Sequence, residues 1–481
     1  MSVFKKAISL ALVSISLLPV AGYCQSNQSP SNENDRLVWF NNAKFGIFMH
    51  WGVFSTGEGG ASWPFFNGQI SQQDYIAHGQ RFTAKNYDPH KWAQIIKASG
   101  AKYAVLTAMH CDGVTLWPSK TGTSTIQKVT PYKKDLVGPY CDAFHEAGIK
   151  VGLYYSHVDW SDPDYMTLTQ NLTPKELADA QKVKYNYQQN WDQKGKEGYY
   201  NKKKFSPEEK VSWDRFITRH DTQINELVSN YKVDLLWFDF MYPNSGDFKW
   251  GEKQLREKLV KEHPALIVNG RMGSYGDYDT PEKGIPIIAP PGPWELCETL
   301  NNNWSYVTTD HDNKPVRQVL RMLVDCISMG GNLLLGIGPK ADGTFDAEQE
   351  KRILEIGKWI NVHQGAVYGT RRGILPGHFY GPTTLSQDKK TLYLYLFDDP
   401  KDEIQLKGIR NRSIKKISIA GRPDIKLAAK YFSGASWANI PPILTIPIPH
   451  NGLDKDITVV KVEFDEPIDL YRGKGKDIIN N

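Results

Sequence analysis

The chain has 481 residues, of which 40% are hydrophobic, 12% aromatic and 23% charged. With 24 Tyr, 19 Phe and 14 Trp it has ample apolar surface to bury, which excludes disorder as the main state. The 58 basic against 53 acidic residues leave +5, too small and too scattered for a nucleic-acid binder. One long apolar run, at the extreme N-terminus, excludes a polytopic membrane protein, and the lack of a short period excludes a solenoid or collagen.

Residues 1–25 carry Lys5 and Lys6, then an apolar stretch from Ala7 to Val20, then Ala21 and Gly22. This is the pattern of a secretory signal peptide, too short for a membrane span, and it predicts export to the periplasm or beyond. Cys24 could carry a lipid anchor, although Tyr23 stands where a small residue is wanted. The other cysteines, Cys111, Cys141, Cys297 and Cys326, match no zinc spacing and read as buried free thiols.

Short apolar runs then alternate with amphipathic stretches. Strands are predicted at 45–51, 103–107, 151–156, 234–239, 265–269 and 332–336, and helices at 88–99, 136–147 and 216–228. Near-continuous apolar strands alternating with helices predict a parallel sheet covered by helices, and at least six such units favour a (β/α)8-like barrel over residues 36–370. Residues 165–212 interrupt this rhythm as a helical excursion over the rim, with a lysine-rich solvated face. From 371 to 475 short alternating segments separated by turns predict a C-terminal antiparallel β-sandwich.

Polar residues stand where the barrel strands end: His50, His110, Tyr155, His157, Asp239 and Asn269. In a barrel those ends converge on one rim. Asp239 follows four large apolar residues, and a carboxylate there either caps the next helix or does chemistry. A second carboxylate for acid/base work is available at Glu282, Glu295 or Glu298, and spacing does not choose among them. Aromatics crowd the same ends, and several of them suit the apolar face of a sugar ring. No His pair has ligand spacing on one helix, so the sequence offers no metal site, and no cofactor is expected.

Six segments in order resemble glycoside hydrolase family 29, the α-L-fucosidases. They are Phe45 to Gly52, Gly100 to Tyr103, Gly152 to Ser156, Leu236 to Asp239, Pro293 to Cys297 and Gly330 to Pro339. The resemblance implies a barrel, a β-sandwich and retaining hydrolysis without metal. It places the nucleophile on Asp239, the acid/base on Glu282, and substrate contacts on His50, Trp51, Trp63, His110, Tyr155, Trp237, Arg271 and Trp304. Three positions depart from the pattern: Cys111 replaces a sugar-binding His, Ser62 replaces a Glu for which Glu58 could substitute, and Phe240 replaces a Gly. The expected activity is that of a secreted, retaining exo-α-L-fucosidase acting on glycans. The alternatives are an exo-glycosidase for another L-sugar or a galactose-like ring, and a silent carbohydrate-binding protein on the same fold. The oligomeric state is left open.

Overall fold

The computed structural model describes residues 35–121, 124–199, 204–241 and 243–471. The expected signal peptide, Cys24 and part of the lysine run lie outside these residues. Among the described residues seven parallel strands make the body of the main sheet, β1 (Phe45–Met49), β2 (Tyr103–Met109), β3 (Lys150–Ser156), β4 (Leu235–Asp239), β5 (Ile267–Val268), β6 (Glu295–Thr299) and β7 (Asn332–Ile337), and two short strands, Val114–Thr115 and Ser124–Thr125, attach beside β2. The spatial order of the seven is β5-β4-β3-β2-β1-β7-β6. Nearly every residue of these strands is buried, because one face meets the covering helices and the other the interior of the curled sheet.

The stave between β5 and β6 has no strand-like sequence. Residues 277–283 fill it by backbone bonding: Asp277 N–H donates to Val268 O (2.8 Å), Glu295 N–H to Asp279 O (2.9 Å) and Cys297 N–H to Pro281 O (3.0 Å). Glu282 thereby lies alongside Cys297 of β6. Inside the curl pack Phe48, Tyr103, Val105, Tyr154, Leu235, Trp237, Ile267, Cys297 and Leu334, an alternate-residue set from each strand. Gly46 permits this, since a Cβ there would sit 2.5 Å from the Tyr103 ring.

Helices cover the outside: α1 (Pro89–Ala98), α2 (Val137–Glu146), α3 (Pro207–Asn230), α4 (Glu252–Glu262), α5 (Val316–Ser328) and α6 (Ala347–Val362). Asp88 caps α1 from its Oδ1 to Lys91 N–H (3.0 Å), with Pro89 in the first turn, and Ser206 with Glu209 forms a capping box on α3. The stretch after β3 is helical as expected, with short helices at Pro163–Gln170, Pro174–Ala180, Tyr187–Asn190 and Lys196–Tyr199.

Among the described residues the C-terminal part has eight strands: β8 (Arg371–Arg372), β9 (Thr383–Leu385), β10 (Thr391–Leu396), β11 (Glu403–Lys407), β12 (Ile414–Ile419), β13 (Lys430–Phe432), β14 (Ile443–Pro447) and β15 (Thr458–Phe464). They make two antiparallel sheets, ordered β8-β9-β10-β15-β12 and β11-β14-β13. Leu392, Leu394, Leu406, Leu444, Ile446, Val460 and Val462 share their core. This part docks on the barrel through Trp359 Nε1–H donating to Ile457 O (3.0 Å), Tyr395 O–H to Ala366 O (2.5 Å), and Arg317 and Arg321 on Asp398. No helix among the described residues is long and apolar enough to cross a membrane.

Candidate active site

Asp239 ends β4 with its side chain facing the interior, where the strands deliver His50, Tyr154 and Trp237 to the same rim. The Tyr154 hydroxyl donates to Asp239 Oδ2 at 2.9 Å, and Arg271 donates from Nη1 to Asp239 Oδ1 at 2.6 Å. The other end of the same guanidinium donates to Glu282 Oε2 at 2.5 Å. One cation thus bridges the two carboxylates, and its Cζ lies 4.7 Å from the centre of the Trp237 ring. Burial pushes the Asp239 carboxyl above the ordinary range, while the Arg271 charge and the Arg271 and Tyr154 hydrogen bonds pull it back. Behind it, Asn269 bonds both the N–H and the C=O of Phe238 (2.8 and 2.9 Å), fixing the strand end.

The two carboxylates differ in access. The Asp239 side chain is 13% exposed and that of Glu282 36%. The buried group sits deep in the site and the accessible one at its mouth.

The opposite wall is built from histidines held neutral. Burial lowers His110 to about 3, and burial with the nearby His110 and Lys283 holds His50 well below the usual histidine range. His110 stacks on Tyr154 (5.4 Å, 9° between planes), and its Nδ1 lies 2.6 Å from Ser62 Oγ. His50 lies 5.0 Å from the Trp304 ring, and its buried Nδ1 has no protein partner. Trp63 stands 6.0 Å from Phe240, directly after Asp239. Phe240 adopts the left-handed region (φ 59°), which costs about 1–2 kcal/mol in a bulky residue, so the Gly usual in the resembled family has a conformational reason.

Four expected contacts lie elsewhere. Trp51, one residue beyond the inward-facing His50, packs among Phe82, Tyr87 and Trp92 and donates to Lys340 O (2.8 Å), so it is core. Tyr155 points out of the curl and donates to Gln223 on α3 (2.8 Å); the tyrosine at the site is its neighbour Tyr154. Glu58 is a surface group paired with Arg81 and His78. Cys111 is fully buried, with the Ser156 hydroxyl 3.4 Å from its sulfur, and its thiol is pushed up by burial and by the charge of Asp239. Strand parity was the available signal for the tyrosine: Tyr154 pairs in register with Trp237, and Tyr155 with Phe238. We expect Tyr154→Phe to lower kcat by about 10–100-fold, the worth of one hydrogen bond to a charged group, and Tyr155→Phe to change stability alone; steady-state kinetics beside thermal melts separate the two.

The rival carboxylates have other partners. Glu295 is sealed at the start of β6, where Tyr103 O–H (2.5 Å) and Trp237 Nε1–H (2.9 Å) donate to it, and burial raises it to about 7. Glu298 is held by Lys283 (3.6 Å) and Lys314 (3.5 Å). Because the folded pKa of Glu295 exceeds its unfolded value, its stabilising effect is full below about pH 4.5 and is lost as pH rises through about 7. The loss is about 3 kcal/mol by that displacement. Glu295→Gln should therefore flatten the decline in melting temperature between pH 5 and pH 8, and a parallel decline in both proteins would refute it.

A curled parallel sheet with helices outside, and two carboxylates bridged by arginine among aromatic and histidine side chains at the strand ends, defines a glycoside hydrolase. The comparisons agree: the family model described as alpha-L-fucosidase matches residues 19–365, and the chain belongs to that family. The tissue alpha-L-fucosidase of Bos taurus is 30% identical over 363 residues, covering 69% of each chain. An alpha-L-fucosidase of Dictyostelium discoideum is 26% identical, over 76% of this chain and 79% of its own. Among solved structures, alpha-L-fucosidase isoenzyme 1 from Paenibacillus thiaminolyticus superposes with a TM-score of 0.74 at 29% identity, covering 90% of this chain and all of that one.

Proposed function

We propose that the protein is an exported, retaining exo-α-L-fucosidase, with a catalytic barrel over residues 36–370 and a β-sandwich over 371–475. The observation that carries this reading is Arg271 bonded to both Asp239 and Glu282. Both carboxylates lie within hydrogen-bond reach of one guanidinium, and retaining hydrolysis by that pair calls for a separation of roughly 5–5.5 Å between them. Asp239 attacks the anomeric carbon while Glu282 protonates the leaving oxygen. Glu282 then deprotonates the water that releases the sugar, and Arg271 and Tyr154 stabilise the Asp239 carboxylate before its attack and again as it leaves in the second step. A deep nucleophile with the acid at the mouth suits a terminal residue. His50, His110, Trp63, Trp237 and Trp304 are the proposed contacts to that sugar, and the unpartnered Nδ1 of His50 fits a wall completed by ligand.

A second reading, a related L-sugar or galactose-like ring, is favoured by Ser62 on His110 and by the sealed Cys111, both of which remove polar contacts from the wall. Incubation with aryl α-L-fucoside, aryl α-D-galactoside and related glycosides, followed by proton NMR of the first-formed anomer, decides between them. α-Fucose as the first product supports the proposal; β-fucose refutes retention, and turnover of another glycoside alone refutes the sugar.

A further inference from the structure

His157 stands at a strand end and takes no part in the mechanism above. It directly follows β3 on the face turned away from the pocket and, like Tyr155 two residues earlier, meets α3. Its Nδ1 lies 2.8 Å from Nε2 of His220, and Nδ1 of His220 lies 2.8 Å from Oδ1 of Asp221. Both rings are buried, while Asp221 reaches solvent. A side-chain relay thus runs from the surface of α3 to the end of β3. There the backbone N–H of His157 donates to Asp239 O at 2.8 Å, and its ring stacks on Phe238 (4.5 Å, 22° between planes). The Arg271 backbone acts on the same ring as an acceptor. Nε2 is the nitrogen left for that contact; it is buried and makes no hydrogen bond of regular geometry among the described residues. We propose that His157 is a positioning residue: steered by His220, it holds the main chain of Asp239 and Arg271 where one guanidinium meets both carboxylates. The proposal rests on the mechanism above, in which Asp239 attacks and Arg271 steadies it.

The hydrogen-bond count fixes how the relay is protonated. A carboxylate and a carbonyl only accept, so the contacts Asp221–His220, His220–His157 and His157–Arg271 need three ring hydrogens. Two neutral imidazoles carry two. Burial, then the neighbouring His220, hold His157 well below the usual histidine range, so the third hydrogen belongs on His220, beside the Asp221 carboxylate. His220 then donates from Nε2 to Nδ1 of His157. That contact places the single hydrogen of His157 on Nε2, aimed at the Arg271 carbonyl. A phenylalanine at 157 would keep the stacking on Phe238 and lose this aim, which is why the imidazole does more than fill space.

The test reads kinetics and ring nitrogens together. His157→Phe removes both nitrogens, His220→Leu removes the donor to Nδ1, and His220→Gln returns one. On an aryl α-L-fucoside the first two should lower kcat by about 10-fold with KM little changed, since His157 touches no sugar. His220→Gln should recover most of that loss. In His157→Phe and His220→Leu the acid limb of kcat/KM should also move to higher pH, because a displaced Arg271 no longer holds the Asp239 carboxyl down against burial. A lowered melting temperature with kcat and that limb unchanged is what a merely structural role gives, and it would overturn the proposal. Should the variants fail to fold, nitrogen NMR of the wild-type histidine rings at about pH 6 decides. A hydrogen on Nε2 of His157 supports the proposal; a hydrogen on Nδ1 with Nε2 bare overturns it while leaving the fucosidase reading intact. A wild type inert on every α-L-fucoside would instead overturn the reading of function, and the positioning role with it.

Discussion

Asp239→Ala should lose turnover on the order of 10⁴-fold, more than the 10²–10³ that one lost electrostatic donor costs and less than the ~10⁶ seen when a covalent triad loses its nucleophile. The substitution removes the group that would attack, and leaves Arg271 and the Tyr154 hydroxyl around an empty space facing the anomeric carbon. A small anion fits there. Azide should therefore restore part of the rate on an aryl fucoside and give the β-configured glycosyl azide, because a single displacement inverts. Activity close to wild type in the variant, or rescue yielding the α-azide, would remove Asp239 from the nucleophile's role. Asp239→Asn is the companion variant: it keeps the shape and the Tyr154 contact, so the same loss in that protein assigns the effect to the charge.

The reach of the sequence differs between elements for a physical reason. β1, β2, β3, β4, β5 and β7 were legible because a strand buried on both faces is apolar along nearly its whole length, and such runs stand out. The stave at 277–283 was not legible, since Asp277, Asp279, Pro281 and Glu282 form no apolar run and the segment is held by alternating backbone bonds to its neighbours. That same segment carries Glu282. Composition and spacing therefore left Glu282 level with Glu295 and Glu298, and motif resemblance alone separated them. In the structure Glu295 is sealed by Tyr103 and Trp237 and Glu298 is bound between two lysines, whereas Glu282 is the most accessible of the three. Trp51 and Tyr155 show the opposite error. Both lie at strand ends, where aromatic density suggested a sugar site, yet each is one residue off the inward-facing set that contains His50 and Tyr154. Period-two parity taken from Asp239 would have moved the assignment from Tyr155 to Tyr154.

Glu282→Ala should divide substrates by the quality of their leaving group. The expected loss is about 10²–10⁴-fold on a fucosyl disaccharide, whose sugar oxygen departs slowly without a proton. On an activated aryl fucoside the first step needs little protonation, so its loss should be far smaller. The second step then becomes limiting, because in the proposed mechanism Glu282 is also the base that activates water. A fucosyl-enzyme on Asp239 should accumulate, visible as a burst of aryl alcohol followed by slow turnover and by mass spectrometry as a single added sugar. Arg271 supplies the control. Its guanidinium contacts both carboxylates, so Arg271→Lys, which cannot hold both in the same planar fork, should depress both substrate classes together. Equal losses on disaccharide and aryl fucoside in Glu282→Ala, with no burst, would mean that this carboxylate acts only by holding Arg271 on the nucleophile, and the proton donor would have to be sought at another group reaching the pocket mouth.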